Sequence, residues 1–495
     1  MPQVEIKPPE FSFQWIFIDF ILFGLFGLVV LFLASRFTFL HWSRYGVNYL
    51  TPYFPAGNLN DFIFGDKSFA TVFQELYELG KSVKQKISGI YLFTRPGVII
   101  NEPELIKTIL ITDFEFFQDR GIFYNGIHDP IAAYSSEVTG SAWIGHLDLF
   151  SEDLIQKLFT DIRECLATSY KNCSPTNTDT DDVNINNFVL NLMVSILGST
   201  TFGLKYDQAI NEEIKKVYAP PQPKWRMLAN FGIGLYPELS IFTNLVTRFI
   251  KLNPDVSFVN NNQLKLNENF NKVWTKIQRN DEPKKYDEDR ENVTKGFQFF
   301  LNCLQMLNPL IIFTLYELAR NVDVQEKLRK EINKVFYKIE DLNYQNLSKK
   351  FTYLDMVLKE TLRKYPVNPL INRTCVRDYK VENTKQIINK GALIYIPVFS
   401  IHNDPKYYPN PEQFDPNRFA SDKTIKECTY LPFGDGKRTC IGKTFGLLHV
   451  KLALIMILKQ YQLNECSTTP TNIQFNPNIH FLATNQDIWL KFNKI

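Results

Sequence analysis

The chain has no C-x-x-C pair and no strong surplus of either charge. Its seven cysteines (Cys165, Cys173, Cys303, Cys375, Cys428, Cys440 and Cys466) are odd in number. That usage argues against a zinc module and a disulfide framework, and fits a reducing compartment. The 55 basic side chains against 52 acidic ones leave +3, too small a balance to point to nucleic acid. No internal repeat and no low-complexity domain is visible. What is present is apolar mass: 45% hydrophobic and 14% aromatic over 495 residues, enough for one large core.

One run stands apart. Residues 15–34 read WIFIDFILFGLFGLVVLFLA, with Asp19 as the only charge. At about 1.5 Å per residue they span roughly 30 Å, one hydrocarbon core. Glu5, Lys7 and Glu10 precede the run, and Arg36, His41 and Arg44 follow it. A cleaved leader needs a basic start and a shorter run. The pattern predicts a retained anchor with its C-terminal side in the cytosol. The expected organisation is a short non-cytosolic N-terminus (1–14), a transmembrane helix (15–35), a proline-containing hinge (36–60) and one catalytic domain (61–495).

The rest reads as mainly α with a smaller β region. ISGIYLFTRPGVIIN predicts two strands around a turn at Arg95–Gly97. EPELIKTILI follows as a helix opened by Pro103. Residues 187–203 are apolar nearly all round, the mark of a core helix. A charged loop over 279–292 precedes a long helix from about Val293 to Asn321.

The chemistry concentrates in LPFGDGKRTCIGK, residues 431–443. Gly434 and Gly436 allow a tight loop with backbone close to a ligand. Cys440 sits just ahead of an apolar helix, whose dipole and free N–H groups favour a thiolate. A lone thiol there can be core filler, a nucleophile or a metal ligand. A thiolate binds soft metals and is one of the axial ligands of haem iron.

Phe433-Gly434-x-Gly436-x-Arg438-x-Cys440-x-Gly442 resembles the haem-ligand loop of the cytochrome P450 family. Three further blocks share the resemblance: YLDMVLKETLRKYP (353–366) with Glu360 and Arg363, HNDPKYYPNPEQ (402–413), and FDPNRF (414–419) with Arg418. The resemblance covers most of the chain and is weakest from about 205 to 290. It implies a single large haem domain behind the anchor. It makes Cys440 the axial ligand of haem b (iron protoporphyrin IX), with Phe433, Gly434 and Gly442 around the cofactor. Arg438 and Arg373 would meet its propionates, a pairing that suits guanidinium. Glu360, Arg363 and Arg418 would form a buried lock, and Val367, Asn368 and Ile371 would line the substrate pocket.

Two departures from the family pattern stand out. Where relatives carry Ala/Gly-Gly-x-Asp/Glu-Thr-Thr, this chain reads NCLQML, residues 302–307. Gln305 replaces the acid and Met306 the threonine that help deliver protons during dioxygen activation. Gln cannot relay a proton by titrating, and Met cannot donate one. Protons would then pass through water held by Asn302 and Gln305, or the enzyme would rearrange peroxides without splitting dioxygen. Pro309 should also kink this helix by denying a donor to the Gln305 carbonyl. The second departure follows Trp143: relatives often place an arginine four residues on, where Leu147 stands here, so His146 or Arg120 is expected to take its place.

The resemblance implies a monooxygenase of the endoplasmic reticulum membrane acting on a small apolar substrate, a lipid, sterol or foreign compound. Electrons would come from NADPH through NADPH-cytochrome P450 reductase, with cytochrome b5 as a further partner and membrane lipid around the anchor. A P450-fold peroxide isomerase or dehydratase is the alternative that Gln305 and Met306 raise. A haem sensor without catalysis is the reading from another class, and turnover with any oxygen donor separates it.

Overall fold

The computed structural model describes residues 13–82, 85–119, 182–202, 288–336, 341–421, 423, 425–440 and 442–495, and isolated positions between 155 and 166 and at 212 and 214. Trp143, His146 and Arg120 lie outside the described residues.

Helix α1 (Phe13–Thr38) carries the apolar run. Its side chains from Ile21 to Ala34 are almost all exposed, the reverse of a helix belonging to a core. Among the described residues, Phe54 meets that surface at Phe32, and the 26 residues of α1 are about 39 Å long.

The segment expected as a hinge is stitched to the domain instead. Trp42 is fully buried, and its Nε1 donates to the Ile90 carbonyl at 3.0 Å. The Tyr91 hydroxyl donates to the Phe39 carbonyl at 2.9 Å. Further on, the Leu50 N–H donates to Gly89 and the Asn58 N–H to Tyr91. Gly46 and Gly57 do turn the chain, at φ +65° and +70°. The prolines between them stiffen a packed strap. From Phe39 onward the segment expected as a hinge is packed against the domain.

That strap lies on β1 (Ile87–Leu92) and β2 (Arg95–Ile100), an antiparallel pair. Their turn is Phe93–Thr94, not Arg95–Gly97 as the proline–glycine pair suggested. Pro96 is tolerated inside β2 because pairing with the next strand starts only at Gly97. The other strands are β3 (Asp182–Asn184), β4 (Ile371–Thr374), β5 (Tyr379–Lys380), β6 (Ile387–Ile388), β7 (Leu393–Ile396), β8 (Tyr461–Glu465) and β9 (Trp489–Lys494). The main sheet runs β1-β2-β7-β4, with β2 and β7 parallel. β3, β9 and β8 form a smaller antiparallel sheet, and β5 pairs with β6.

Helices supply the larger core. Helix α2 (Phe69–Ser82) packs beside the main sheet. Helices α3 (Ile185–Phe202), α4 (Glu288–Arg320), α5 (Val322–Val335), α6 (Thr352–Lys364) and α7 (Lys443–Gln460) share one hydrophobic cluster. α4 starts at Glu288, so the last part of the expected charged loop is helical. It continues through Pro309 as one helix. α4 lies close on α7: a Cβ added to Gly446 would come within 3.0 Å of Leu307 Cδ2. This contact sets which face of α4 is turned toward the loop before α7.

Candidate functional site

Four pieces of chain converge on Cys440. The first is its own loop. Gly434 and Gly436 adopt φ +72° and +67°, where a side chain is disfavoured. A Cβ on Gly436 would land on the Leu110 carbonyl, so the loop is seated on the helical turn Thr108–Thr112. Asp435 caps a short turn by accepting from the Gly436 N–H at 2.7 Å. The Cys440 N–H donates to the Phe433 carbonyl at 2.9 Å and closes the loop. α7 begins three residues later, which places Cys440 at its positive end.

The second piece is β4. Its residues alternate, and Ile371 and Arg373 share the buried face. Ile371 Cδ1 lies 4.0 Å from a Cβ built on Gly434, so that face is turned to the cysteine loop. Arg373 and Arg438 are each only 4% exposed. Val367 and Ile371 are buried, while Asn368 between them is exposed. The Val367 carbonyl accepts from the Leu482 N–H at 2.8 Å, which brings the 475–484 segment to this wall.

The third piece is α4. Asn302, Gln305 and Met306 fall on one helical face, and all three are partly accessible. Cys303 is beside them. Burial first, and the nearby Cys440 second, push its thiol above the ordinary range. The Leu307–Gly446 contact sets this stretch of α4 beside the start of α7. Neither Gln305 nor Met306 supplies an acid or an alcohol to that face.

The fourth piece braces the others from outside. Glu360 and Arg363 are fully buried on α6. Arg363 Nε donates to Glu360 Oε2 at 2.8 Å and its Nη2 to Oε1 at 3.0 Å. Arg418 Nε adds 3.3 Å and the Asp415 N–H 3.1 Å to the same Oε1. Burial lifts the Glu360 carboxyl above its ordinary range, against the pull of Arg363 and Arg418. Arg363 also donates to the carbonyls of His402 (2.9 Å) and Pro411 (2.7 Å), fixing the 402–418 segment to α6.

Sequence reasoning passed over two participants. His402 lies within HNDPKYYPNPEQ, but its fully buried ring is a tertiary fact. Glu317 is buried on α4, holding Tyr365 Oη at 2.6 Å and Lys364 Nζ at 2.9 Å. A carboxylate inside an apolar helical run was the available signal for Glu317.

Haem fits these residues. Cys440 is exposed although its neighbour Arg438 is buried, and a Cβ on Gly442 would meet nothing within 4 Å. Cys440 is therefore accessible rather than part of the packed core. A soft sulfur donor, two buried guanidiniums and an apolar helix opposite match an anionic, planar, iron-bearing ring. Together with the mainly helical fold, they define the class as a haem-thiolate oxidoreductase.

Comparison with known proteins gives the family. A family model described as Cytochrome P450 matches residues 275–492. "Probable cytochrome P450 6a14" of Drosophila melanogaster is 30% identical, covering 92% of this chain and 96% of its own length. "Cytochrome P450 6A1" of Musca domestica is 28% identical, over 93% and 95%. "Cytochrome P450 6k1" of Blattella germanica is 28% identical, over 94% of each. The chain belongs to the cytochrome P450 family and is a haem-dependent monooxygenase.

Proposed function

We propose that Cys440 is the axial thiolate of haem b, and that Arg373 and Arg438 meet its propionates. The enzyme inserts one atom of dioxygen into a small apolar substrate, a lipid, sterol or foreign compound. The observation carrying this reading is an accessible Cys440 just ahead of α7, in a loop that also holds the buried Arg438 and meets β4 at Ile371. When bound, haem supplies the oxygen chemistry, and an anionic sulfur donor favours O–O cleavage.

The chain supplies the surroundings. Substrate C–H becomes C–OH and the second oxygen leaves as water, which consumes two electrons and two protons. The electrons come from NADPH through NADPH-cytochrome P450 reductase, with cytochrome b5 as a second donor. The amides of Asn302 and Gln305 hold water that passes the protons, because Met306 cannot donate. Val367, Asn368 and Ile371 bound the pocket beside β4. The exposed apolar surface of α1 supports a single span in the endoplasmic reticulum membrane, with the domain on the cytosolic side.

One observation favours a second reading. The accessible face of α4 carries amides and a thioether where an acid and an alcohol would relay protons. An isomerase or dehydratase acting on peroxides already holding an O–O bond needs no such relay. The test compares reductase, NADPH and dioxygen with fatty-acid hydroperoxides under anaerobic conditions. Product only in the first arm supports the monooxygenase. Fast turnover only in the second removes it.

A further inference from the structure

We propose that His402 is a positioning residue that couples the Glu360–Arg363 lock to the entrance of the cysteine loop. It holds the Cys440 thiolate in its working direction. The proposal rests on Cys440 being the haem ligand.

His402 ends a short helix, Val398–His402, and is completely buried. It is tied on three sides. Its carbonyl accepts from Arg363 Nη1 at 2.9 Å. Its Nε2 accepts from the Leu431 N–H at 2.8 Å. That bond leaves the ring proton on Nδ1, which is 3.3 Å from the Leu362 carbonyl. The imidazole is therefore a neutral bridge with one donor and one acceptor, both engaged. Burial first, and the Arg363 charge second, keep it in that form by lowering its pKa to about 3. The ring also stacks on Tyr430, with centroids 5.4 Å apart and planes 14° apart.

Leu431 opens the cysteine loop. Two residues later the Phe433 carbonyl accepts from the Cys440 N–H. The path from α6 to the thiol thus runs Arg363, His402, Leu431, Phe433, Cys440. Among the described residues, two long-range side-chain bonds hold the segment just before the loop: Tyr408 Oη donates to the Thr429 carbonyl at 3.1 Å, and Tyr430 Oη to the Lys359 carbonyl at 3.2 Å. Both act before Leu431. The His402 bond, by contrast, reaches the backbone of the loop itself. Without it, a buried N–H loses its partner and the loop gains freedom at its root.

The test uses the full-length, haem-loaded protein. His402→Phe keeps a ring and removes the acceptor. His402→Gln restores an acceptor near the position of Nε2. Tyr408→Phe removes a bond to the same segment and leaves Leu431 alone. Three quantities are read: exchange of the Leu431 amide, the lifetime of the thiolate-type carbon-monoxide spectrum in mild urea, and the melting temperature.

The expected result is that His402→Phe speeds Leu431 exchange and shortens the spectral lifetime about tenfold, the factor one buried hydrogen bond carries. His402→Gln should recover most of that loss. Tyr408→Phe should lower the melting temperature without shortening the lifetime at matched stability. The proposal is overturned if His402→Phe keeps the wild-type lifetime, or if Tyr408→Phe shortens it equally. Should His402→Phe fail to fold, Gln decides: Leu431 exchange near the wild-type rate supports the bridge, and a tenfold rise removes it. A wild-type protein with no thiolate-type spectrum would sink the assignment of Cys440 and not the His402 bridge to Leu431, which the exchange data report separately.

Discussion

Removing the charge of Glu360 tests how the cysteine loop is braced. The Glu360 carboxylate accepts four hydrogen bonds, two from Arg363 and one each from Arg418 and the Asp415 N–H. Glu360→Gln keeps the shape and leaves Arg363 as a buried cation without its counter-charge. Arginine cannot shed its proton to escape. Breaking one side of such a pair costs about 3–5 kcal/mol, against a domain stability of about 5–15 kcal/mol. Arg363→Met is the asymmetric partner. It leaves a carboxyl that burial already pushes upward, and which can neutralise by taking a proton. Its cost should be smaller than that of Glu360→Gln, arising from the donations lost to His402 and Pro411. The double replacement Glu360→Gln, Arg363→Met should cost well under the sum, with a coupling of about 2 kcal/mol or more. Urea unfolding of the haem-loaded protein, followed by circular dichroism, measures all three. If Glu360→Gln does not accumulate, Glu360→Asp gives the sign on a milder scale. A loss under about 1 kcal/mol for Glu360→Gln, or additivity within about 0.5 kcal/mol, would refute the brace.

Gly436→Ala should destabilise the cysteine loop by about 1–3 kcal/mol through its positive φ alone, and further because the new methyl meets the Leu110 carbonyl. Haem retention on dilution measures this, and unchanged retention would contradict the loop geometry. His402 and His449 are buried and held neutral, with pKa values lowered to about 3 and about 4 from 6.5. Unfolding lets both take up protons, so this stability is complete above pH 6.5 and is lost as pH falls toward 4 and 3. Near pH 5 their joint contribution is a fall of about 2.7 kcal/mol per pH unit. His449→Gln should roughly halve it in urea titrations at several pH values, and an unchanged slope would refute the assignment. Replacing Asn302 and Gln305 together with Leu should leave NADPH oxidation running while coupled product falls at least about tenfold, the scale of general acid–base assistance. Undiminished coupling would mean that the water relay runs elsewhere.

The cysteine loop was legible because its spacing is local, and the lock was legible through the resemblance that its blocks carry. Glu360 and Arg363 sit one helical turn apart, a pair that only the family resemblance marked as buried, and Gly434 and Gly436 take the positive φ that their type allows. The misreadings share one cause, tertiary pairing overriding a local signal. Pro96–Gly97 looks like a turn, yet the chain reverses at Phe93–Thr94, with Phe93 at φ +55°, a residue type that announces no turn. The strap near Pro52 and Pro55 looks like a linker until Trp42 and Tyr91 are seen to bond across some fifty residues. The acidic start of α4 looks like loop because its helix is stabilised by packing further along. His402 was invisible for the same reason: a bridge between α6 and Leu431 has no sequence period.

The most direct test of the account is the carbon-monoxide difference spectrum of the reduced, haem-loaded protein and of Cys440→Ser. The account predicts a red-shifted, thiolate-type Soret band for the natural chain, and its complete loss in the variant even where haem is retained. A thiolate-type band that survives Cys440→Ser would place the iron ligand elsewhere and contradict the site described here.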